Sequence, residues 1–190
     1  LVRQPLSIVH KHLHFHLAKC LCNLTLNIFN KHSDRIRMAN IAQTVNVLQA
    51  VILTDGDEMV LTPTYHVFRM YKDHQKNTLL GSFITSEQIE CDGLKMPELI
   101  ESASMDDNGI IYSTIVNVAL DEAKEIKCQI ADSEVKSVKA EIITGKIDDH
   151  NTFENKDAVK PAEFTDFTVS ADGFTATVPP CSVVKFIVER

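Results

Sequence analysis

The chain has 190 residues and a formal net charge of −7, with 44% apolar and 24% charged residues. A chain of this length can bury a core of its own, and its length suggests one or two domains. The acidic balance and the lack of a basic patch argue against nucleic acid as a partner, because phosphate binding needs grouped Lys and Arg. No run of about 18 apolar residues occurs, so the sequence predicts no membrane span.

The cysteines favour a reducing compartment. Their number is odd and they are scattered along the chain: Cys20, Cys22, Cys91, Cys128 and Cys181. Small secreted domains that depend on disulfides usually carry an even number of cysteines in a dense framework. We therefore expect free thiols and a cytoplasmic protein. Cys20 and Cys22 are more closely spaced than the usual C-x-x-C metal pair, so no metal site is assigned to them.

Residues 1–22 form an atypical N-terminal segment. Within residues 10–16, His10, His12, His14 and His16 alternate with other residues, so an extended backbone would place four imidazoles on one face. Such a row could bind zinc or nickel. The alternative is a non-native or frayed terminus that is histidine-rich by chance. We adopt this simpler interpretation and assign no metal site.

A helix end and a strand are predicted after this segment. Thr25 to His32 has the pattern of a helix C-terminus, with a polar and partly cationic last turn. Arg35 to Gln43 carries apolar residues on both faces, which is typical of a buried parallel strand. Further along the chain, Asp55-Gly56 marks a turn.

A second helix is predicted to begin at Pro63 and to end between His74 and Asn77. Thr62 can cap free backbone amides, and proline suits the first helical position because no donor is needed there. An apolar stripe at helical spacing runs along this helix: Tyr65, Val67, Phe68 and Tyr71. His66 is expected on the helix surface. Strand, loop and helix together are one unit of an α/β architecture.

Alternating strands are predicted after residue 79. They are Ile110–Leu120, Glu125–Ala131, Ser137–Thr144, Phe167–Val169, Phe174–Val178 and Val183–Val188. Asp107-Asn108-Gly109 and Ala171-Asp172-Gly173 are turn signals between strands. In Glu125–Ala131 the apolar residues share one face and the polar residues share the other, which is typical of an antiparallel sheet. Six or more short strands with turns at this spacing favour a β-sandwich.

Four stretches of the sequence resemble one known family. The run LNIFNKHSDRIRMANIAQTVNVLQAVILTDGDEMVLTPTYHVFRMYKDHQ is similar, almost word for word, to the last barrel unit of the family 51 glycoside hydrolases, the α-L-arabinofuranosidases. ESASMDDNGIIYSTIVNV, HNTFENKDAVKP and TVPPCSVVKFIVER resemble that family's C-terminal β-sandwich more loosely. Together these stretches carry the resemblance through residues 23–190.

The resemblance implies a fold and a function. Residues 23–78 would be the last strand and helix of a truncated (β/α)8 TIM barrel, and residues 79–190 an antiparallel β-sandwich domain. The parent enzyme would be a retaining hydrolase that removes terminal non-reducing α-L-arabinofuranosyl residues from arabinose-containing polysaccharides and oligosaccharides. The resemblance further implies a cytoplasmic homo-oligomer without metal or cofactor.

Catalytic residues are not assigned within this chain. Retaining hydrolysis of a glycoside needs two carboxyl groups about 5 to 5.5 Å apart. In the family both are glutamates on earlier barrel strands, which this sequence does not contain. Asp55, Asp57 and Glu58 cluster in a turn and are interpreted as solvated surface groups. We therefore expect the chain to be inactive by itself.

Gln43 is the predicted substrate-binding residue. Side chains at the carboxyl end of a barrel strand point into the active-site mouth, and a neutral amide can donate and accept hydrogen bonds with sugar hydroxyls. The resemblance implies the same role, because the family has a substrate-contacting glutamine in this Asn-Ile-Ala-Gln segment. An amide that only ties two loops together is the alternative. Asn40 and Asn46 are interpreted as amides that shape the loop.

A stand-alone β-sandwich that binds carbohydrate or protein is the alternative function. Sugar-binding sandwiches usually present exposed aromatic rings, because the C–H face of a sugar packs well on a ring. This chain has no Trp and three Tyr. The composition therefore favours the enzyme fragment over the binding module.

Overall fold

The computed structural model describes residues 23–190, apart from 42–43, 48–49, 92–93 and 147. The histidine-rich residues 10–16, the N-terminal segment 1–22 and the predicted site residue Gln43 therefore lie outside the described residues. Within the described part of the chain, no helix has both the length and the apolar character needed to cross a membrane.

The helical part begins with α1, which covers residues 23–31 and confirms the predicted helix end. The strand predicted for Arg35–Gln43 is not formed in the described part of its range, because residues 36–41 have no regular secondary structure. A parallel strand obtains its backbone hydrogen bonds from neighbouring strands. None of the described strands pairs with residues 36–41.

A hairpin and a second helix follow. β1 (Ile52–Asp55) and β2 (Glu58–Leu61) pair in antiparallel fashion around Gly56, whose φ of +56° fits the predicted turn. The turn was predicted, but the two strands of this hairpin were not. α2 (Pro63–Tyr71) continues into a 3₁₀ turn (Lys72–His74), which confirms the second helix and its end.

The strands of the second half are short and antiparallel. They are β3 (Thr78–Leu80), β4 (Gln88–Cys91), β5 (Leu94–Pro97), β6 (Leu99–Met105), β7 (Ile111–Asn117), β8 (Lys124–Gln129), β9 (Ser137–Ile143), β10 (Ala162–Glu163), β11 (Phe167–Ser170), β12 (Gly173–Val178) and β13 (Ser182–Glu189). The six predicted strands correspond to β7, β8, β9, β11, β12 and β13. The sequence did not predict β3, β4, β5, β6 or β10.

Two sheets make the sandwich. The larger has six strands in the order β10-β9-β13-β7-β6-β3, and the smaller has three in the order β11-β12-β8. Between them, Val184 and Phe186 of β13 pack with Phe174 of β12, and the rings of Phe174 and Phe186 stack with centroids 4.3 Å apart. The predicted antiparallel β-sandwich is thereby confirmed.

The helices cover the other face of the larger sheet. Val183 of β13 and Val116 of β7 point to this side, where they form a second apolar cluster with Val67 and Met70 of α2 and Leu26 of α1. β13 is consequently buried on both faces. The helical part and the sandwich thus share a core.

Candidate functional site

The described chain resumes at Thr44, directly after the predicted site residue Gln43. The backbone amides of Val51 and Ile52 donate to the carbonyl oxygen of Thr44 at 3.0 and 3.1 Å. The amide of Asn46 donates to the carbonyl oxygen of Ile52 at 3.2 Å. Residues 44–46 are therefore held against the beginning of the β1–β2 hairpin.

Asn46 shapes this loop with both its backbone and its side chain. Its φ of +55° lies in the left-handed region, which asparagine tolerates better than most residues. Its amide nitrogen donates to the carbonyl and hydroxyl oxygens of Thr54 at 3.0 Å each, and its amide oxygen accepts from the Thr54 N–H at 2.7 Å. The interpretation of Asn46 as a loop-shaping amide is confirmed.

Thr62 is hydrogen-bonded to Ala50 and Val51, at the other end of this loop. Its side chain does not cap α2, although the residue occupies the predicted N-cap position. Instead the hydroxyl donates to the carbonyl oxygens of Ala50 at 2.7 Å and Val51 at 3.0 Å. Thr62 is 1% exposed. The hydroxyl therefore binds the loop rather than the helix.

Asn151 connects this region to the sandwich. It lies in the stretch HNTFENKDAVKP and is buried. Its amide nitrogen donates to the carbonyl oxygens of Leu61 at 2.7 Å and Val159 at 2.9 Å, while its amide oxygen accepts from the Val159 N–H at 2.7 Å. Both donors and the acceptor of this side chain are used. A loop of the sandwich is thus bonded to the residue directly before Thr62.

A buried polar network joins the helices to the larger sheet. The Asn27 amide nitrogen of α1 donates to the carbonyl oxygens of Ile100 at 3.0 Å and Thr114 at 3.3 Å. The hydroxyls of Tyr71 and Ser102 both donate to its amide oxygen at 2.8 Å. Because buried polar groups are costly unless bonded, this network favours one packing of the helices on the sheet.

His74 and Lys185 extend the network. The ring nitrogens of His74 lie 2.9 Å from the Ser104 hydroxyl and 2.7 Å from the Thr114 hydroxyl. Burial, followed by the nearby Lys185 ammonium, lowers the pKa of His74 to about 4, although Asp73 acts in the opposite direction. His74 is therefore neutral at physiological pH.

Lys185 is a buried residue, 3% exposed, and its ammonium group pairs with two carboxylates. It contacts Asp73 Oδ2 at 2.5 Å and Glu141 Oε1 at 2.6 Å. These contacts join the 3₁₀ turn to β13 and β9. Lys185 thus serves the packing of the helical part on the sandwich.

His66 was expected on the helix surface, and this prediction is wrong. The residue is 7% exposed, and neither ring nitrogen has a hydrogen-bond partner. Burial, followed by the Arg69 charge, lowers its pKa. The apolar stripe of the sequence did not include position 66, so the period alone gave no sign of this burial.

Besides Asp73 and Glu141 around Lys185, two groups of neighbouring carboxylates occur among the described residues. Those at the hairpin turn, Asp55, Asp57 and Glu58, are exposed as predicted. A second group was not predicted, in which single carboxylate oxygens of Glu87, Glu98 and Glu122 lie within 4.8 Å of one another.

The Lys124 ammonium lies among this second group. Its Nζ contacts Glu98 at 2.7 Å, Glu122 at 2.8 Å and Glu87 at 3.2 Å. Hydrogen bonds with Glu122 and Glu98 raise the pKa of Lys124. We assign these four residues to an ion-pair cluster that joins three loops of the sandwich.

Exposed aromatic rings are scarce on the described surface. Among its exposed large apolar side chains, Phe83 is the one aromatic residue, and it is 90% exposed. A single ring does not form the platform of several rings that a sugar-binding sandwich usually presents. The surface therefore gives no support to a stand-alone carbohydrate-binding module.

The fold defines a class: an antiparallel β-sandwich with a helical unit bonded to its larger sheet. The family described as "Alpha-L-arabinofuranosidase C-terminal domain" matches residues 20–182. The chain belongs to this family, and the resemblance to the C-terminal part of the family 51 enzymes is confirmed.

Individual relatives agree with this assignment. The intracellular exo-alpha-L-arabinofuranosidase of Bacteroides ovatus is 42% identical over 166 residues, which cover 86% of this chain and 32% of the relative. The GH51 arabinofuranosidase of Xanthomonas axonopodis pv. citri superposes with a TM-score of 0.84 at 35% identity, covering 92% of this chain and 35% of that one. The thermostable GH51 enzyme of Thermotoga petrophila RKU-1 superposes with a TM-score of 0.77 at 27% identity, covering 92% and 38%. The chain thus spans about a third of the length of these relatives.

Proposed function

We propose that this chain forms the C-terminal part of a retaining α-L-arabinofuranosidase of glycoside hydrolase family 51. Such an enzyme would remove terminal non-reducing α-L-arabinofuranosyl residues from arabinose-containing polysaccharides and oligosaccharides. The observation that carries the proposal is the match of residues 20–182 to the C-terminal domain family of these enzymes. The name of the Bacteroides ovatus relative supports exo action and an intracellular location, and we further propose a homo-oligomeric parent.

In this proposal the catalytic carboxyl groups belong to the part of the relatives that this chain does not match. Retaining hydrolysis needs a nucleophile and an acid–base group about 5 to 5.5 Å apart. The close carboxylates among the described residues are either bound by a lysine, Lys124 or Lys185, or exposed in a turn. In neither environment is one carboxyl group set apart from the other, as a nucleophile and an acid–base group would be. The chain by itself should therefore not hydrolyse arabinofuranosides.

The helical part would contribute the last unit of the (β/α)8 barrel, with the domain boundary at residues 78–79. Residues 35–43 would become a strand when neighbouring barrel strands supply hydrogen bonds. Gln43 would then stand at the carboxyl end of this strand, where active sites of such barrels lie. Its amide would donate and accept hydrogen bonds with sugar hydroxyls. The helix α2, which follows the loop as the barrel pattern requires, supports this assignment.

A chimera tests the proposal. In this chimera, the chain replaces the 166-residue region that it matches in the Bacteroides ovatus enzyme. Release of 4-nitrophenol from 4-nitrophenyl α-L-arabinofuranoside is measured for the chimera and for the 190-residue chain alone. We expect hydrolysis by the chimera and none by the isolated chain. Hydrolysis by the isolated chain, lost on mutation of its own carboxylates, would contradict the proposed division of roles.

The Gln43→Ala variant of the chimera tests the site residue. Loss of hydrogen bonds to the substrate in the transition state is expected to lower kcat/KM at least about ten-fold. Gln75→Ala is the matched control, because Gln75 is an exposed glutamine after the 3₁₀ turn. Equal rates for the two variants would exclude the substrate-binding role of Gln43.

A further inference from the structure

An apolar groove opens between the two sheets of the sandwich, beside β8. β8 is the last strand of the smaller sheet, which has three strands, whereas the larger sheet has six. Part of the inner face of the larger sheet therefore has no described strand opposite it. The groove has a volume of about 600 Å³, and apolar side chains of β3, β6 and β8 line it: Leu80, Ala103, Met105 and Ile126. Apolar surface of this kind is unfavourable in contact with water.

Residues 81–85 border this groove, and we call them the strap. The strap has no regular secondary structure, and within the described part of the chain no backbone–backbone hydrogen bond is made by residues 82–85. Its two ends are fixed. Leu80 pairs with Ala103 of β6 before it, and after it the Ser86 hydroxyl accepts from the Leu99 N–H at 3.2 Å. The strap is thus held at both ends and unbonded between them.

Two neighbouring side chains of the strap lie in unfavourable surroundings. Phe83 is 90% exposed although it borders the groove. The Ser82 hydroxyl is buried and has no hydrogen-bond partner among the described residues. An exposed ring and a buried, unbonded hydroxyl each raise the free energy of the folded chain.

One rotation of the strap would correct both side chains. Exposure alternates residue by residue from Gly81 to Glu87, as in an extended segment whose neighbouring side chains point to opposite sides. Turning the Phe83 ring into the groove would therefore turn the Ser82 hydroxyl toward water. Open space surrounds the position that a Cβ of Gly81 would occupy, so the chain has room to turn there. Ile84 packs against the core of the sandwich and would stay in place.

We propose that the strap has two positions and that in solution it closes the groove, with the Phe83 ring inserted beside β8. The structure shows the open position. The groove is larger than a phenyl ring, and Phe83 already borders it, so closure needs only a local rotation. An apolar molecule could then enter the groove only by displacing Phe83. This inference does not depend on the proposed function.

A tryptophan at position 83 tests the closure, because the 190-residue chain has no tryptophan of its own. Quenching of tryptophan fluorescence by acrylamide is compared in Phe83→Trp and in the control Leu120→Trp, since Leu120 is 60% exposed and does not border the groove. The quenching constant of Phe83→Trp should be at least about three-fold smaller, because the closed position dominates. The open position alone gives the reverse order, since Phe83 is the more exposed residue. Equal or stronger quenching of Phe83→Trp would overturn the inference.

Filling the groove tests where the ring goes. Ala103 is 7% exposed and lines the groove, so Ala103→Leu occupies part of the space that the ring would use. Added to Phe83→Trp, this change should strengthen quenching at least about two-fold, because it shifts the strap toward its open position. Ala103→Ser is the matched control, since its side chain remains small, and should leave quenching unchanged. A folded Ala103→Leu variant with unchanged quenching would contradict insertion of the ring into this groove.

Dye binding tests the strap without altering the groove. Phe83→Ser removes the ring that closes the groove, so the fluorescence of the apolar dye ANS should rise at least about three-fold, because this dye binds exposed apolar surface. Leu120→Ser is the control, since it also removes an exposed apolar side chain, and no rise is expected. Equal dye fluorescence in the unaltered chain and in Phe83→Ser would show that Phe83 does not cover the groove.

Discussion

Acidification should destabilise the packing of the helical part on the sandwich through His74. The imidazole is 8% exposed and lies between the Ser104 and Thr114 hydroxyls. The charges that act on its pKa are those of Lys185 and Asp73, and the Lys185 ammonium is paired with both Asp73 and Glu141. A proton added to His74 would place a cation in a buried position between two neutral hydroxyls, and this burial is the main cause of the lowered pKa.

The magnitude follows from the two pKa values of His74. The pKa is about 4 in the folded chain, whereas histidine in an unfolded chain has its ordinary pKa of 6.5. The unfolded chain thus binds more protons between these values, so stability is complete above pH about 6.5 and is lost as the pH falls toward about 4. At pH 5 the folding equilibrium constant should be about 30-fold smaller than at high pH, which corresponds to about 2 kcal/mol.

Urea denaturation followed by circular dichroism at pH about 7.5 and about 5 measures this loss. At the higher pH the free energy of unfolding of the His74→Asn variant should be lower by about 1 to 2 kcal/mol, because a buried hydrogen bond is lost. The variant should lose about 2 kcal/mol less stability than the unaltered chain between the higher and the lower pH. His66, whose pKa is also lowered, is present in both proteins and cancels in the comparison. Identical pH dependence in both proteins would refute the role of His74.

Three further substitutions, the first with a matched control, test the packing of the sandwich. Lys185→Met should lower the free energy of unfolding by about 2 to 3 kcal/mol in urea denaturation, because its two carboxylate partners lose a buried cation. The control Lys95→Met removes an exposed ion pair at 4.0 Å and should lower it by less than about 0.5 kcal/mol. Similar losses in the two variants would argue against a buried cluster. Gly173→Ala should prevent soluble expression, since its Cβ would lie 2.0 Å from the Cys128 carbonyl oxygen; a soluble variant with unchanged melting would contradict that approach. Phe186→Ala should cost about 3 to 5 kcal/mol, because the ring is fully buried between the sheets, and a cost below about 1 kcal/mol would show that the ring is not a core residue.

The sandwich could be predicted where one face of a strand is apolar and the other polar. β8 is such a strand, with Ile126 buried and its neighbours exposed. β6 was not predicted because three of its residues are polar yet buried: Glu101, Ser102 and Ser104. Their partners lie 70, 75 and 30 residues away in the sequence. A local pattern cannot show such distant partners.

The site could be predicted only in part, for a related reason. The asparagine at position 46 was correctly interpreted, because asparagine suits both a left-handed backbone and local bonding. Thr62 was placed correctly at the start of α2, but its hydroxyl binds the preceding loop. A capping residue and a loop-binding residue look alike in the sequence. The role of Gln43 remains a prediction, since that residue lies outside the described part of the chain.

The rate at which the unaltered chimera releases 4-nitrophenol from 4-nitrophenyl α-L-arabinofuranoside tests the central claim most directly. If this chain is the C-terminal part of an α-L-arabinofuranosidase, the chimera should hydrolyse the substrate within about ten-fold of the parent Bacteroides ovatus enzyme, as expected when the catalytic groups are retained and the supporting contacts are replaced by equivalent ones. A chimera that is soluble and folded, yet hydrolyses the substrate no faster than the buffer, would contradict the claim.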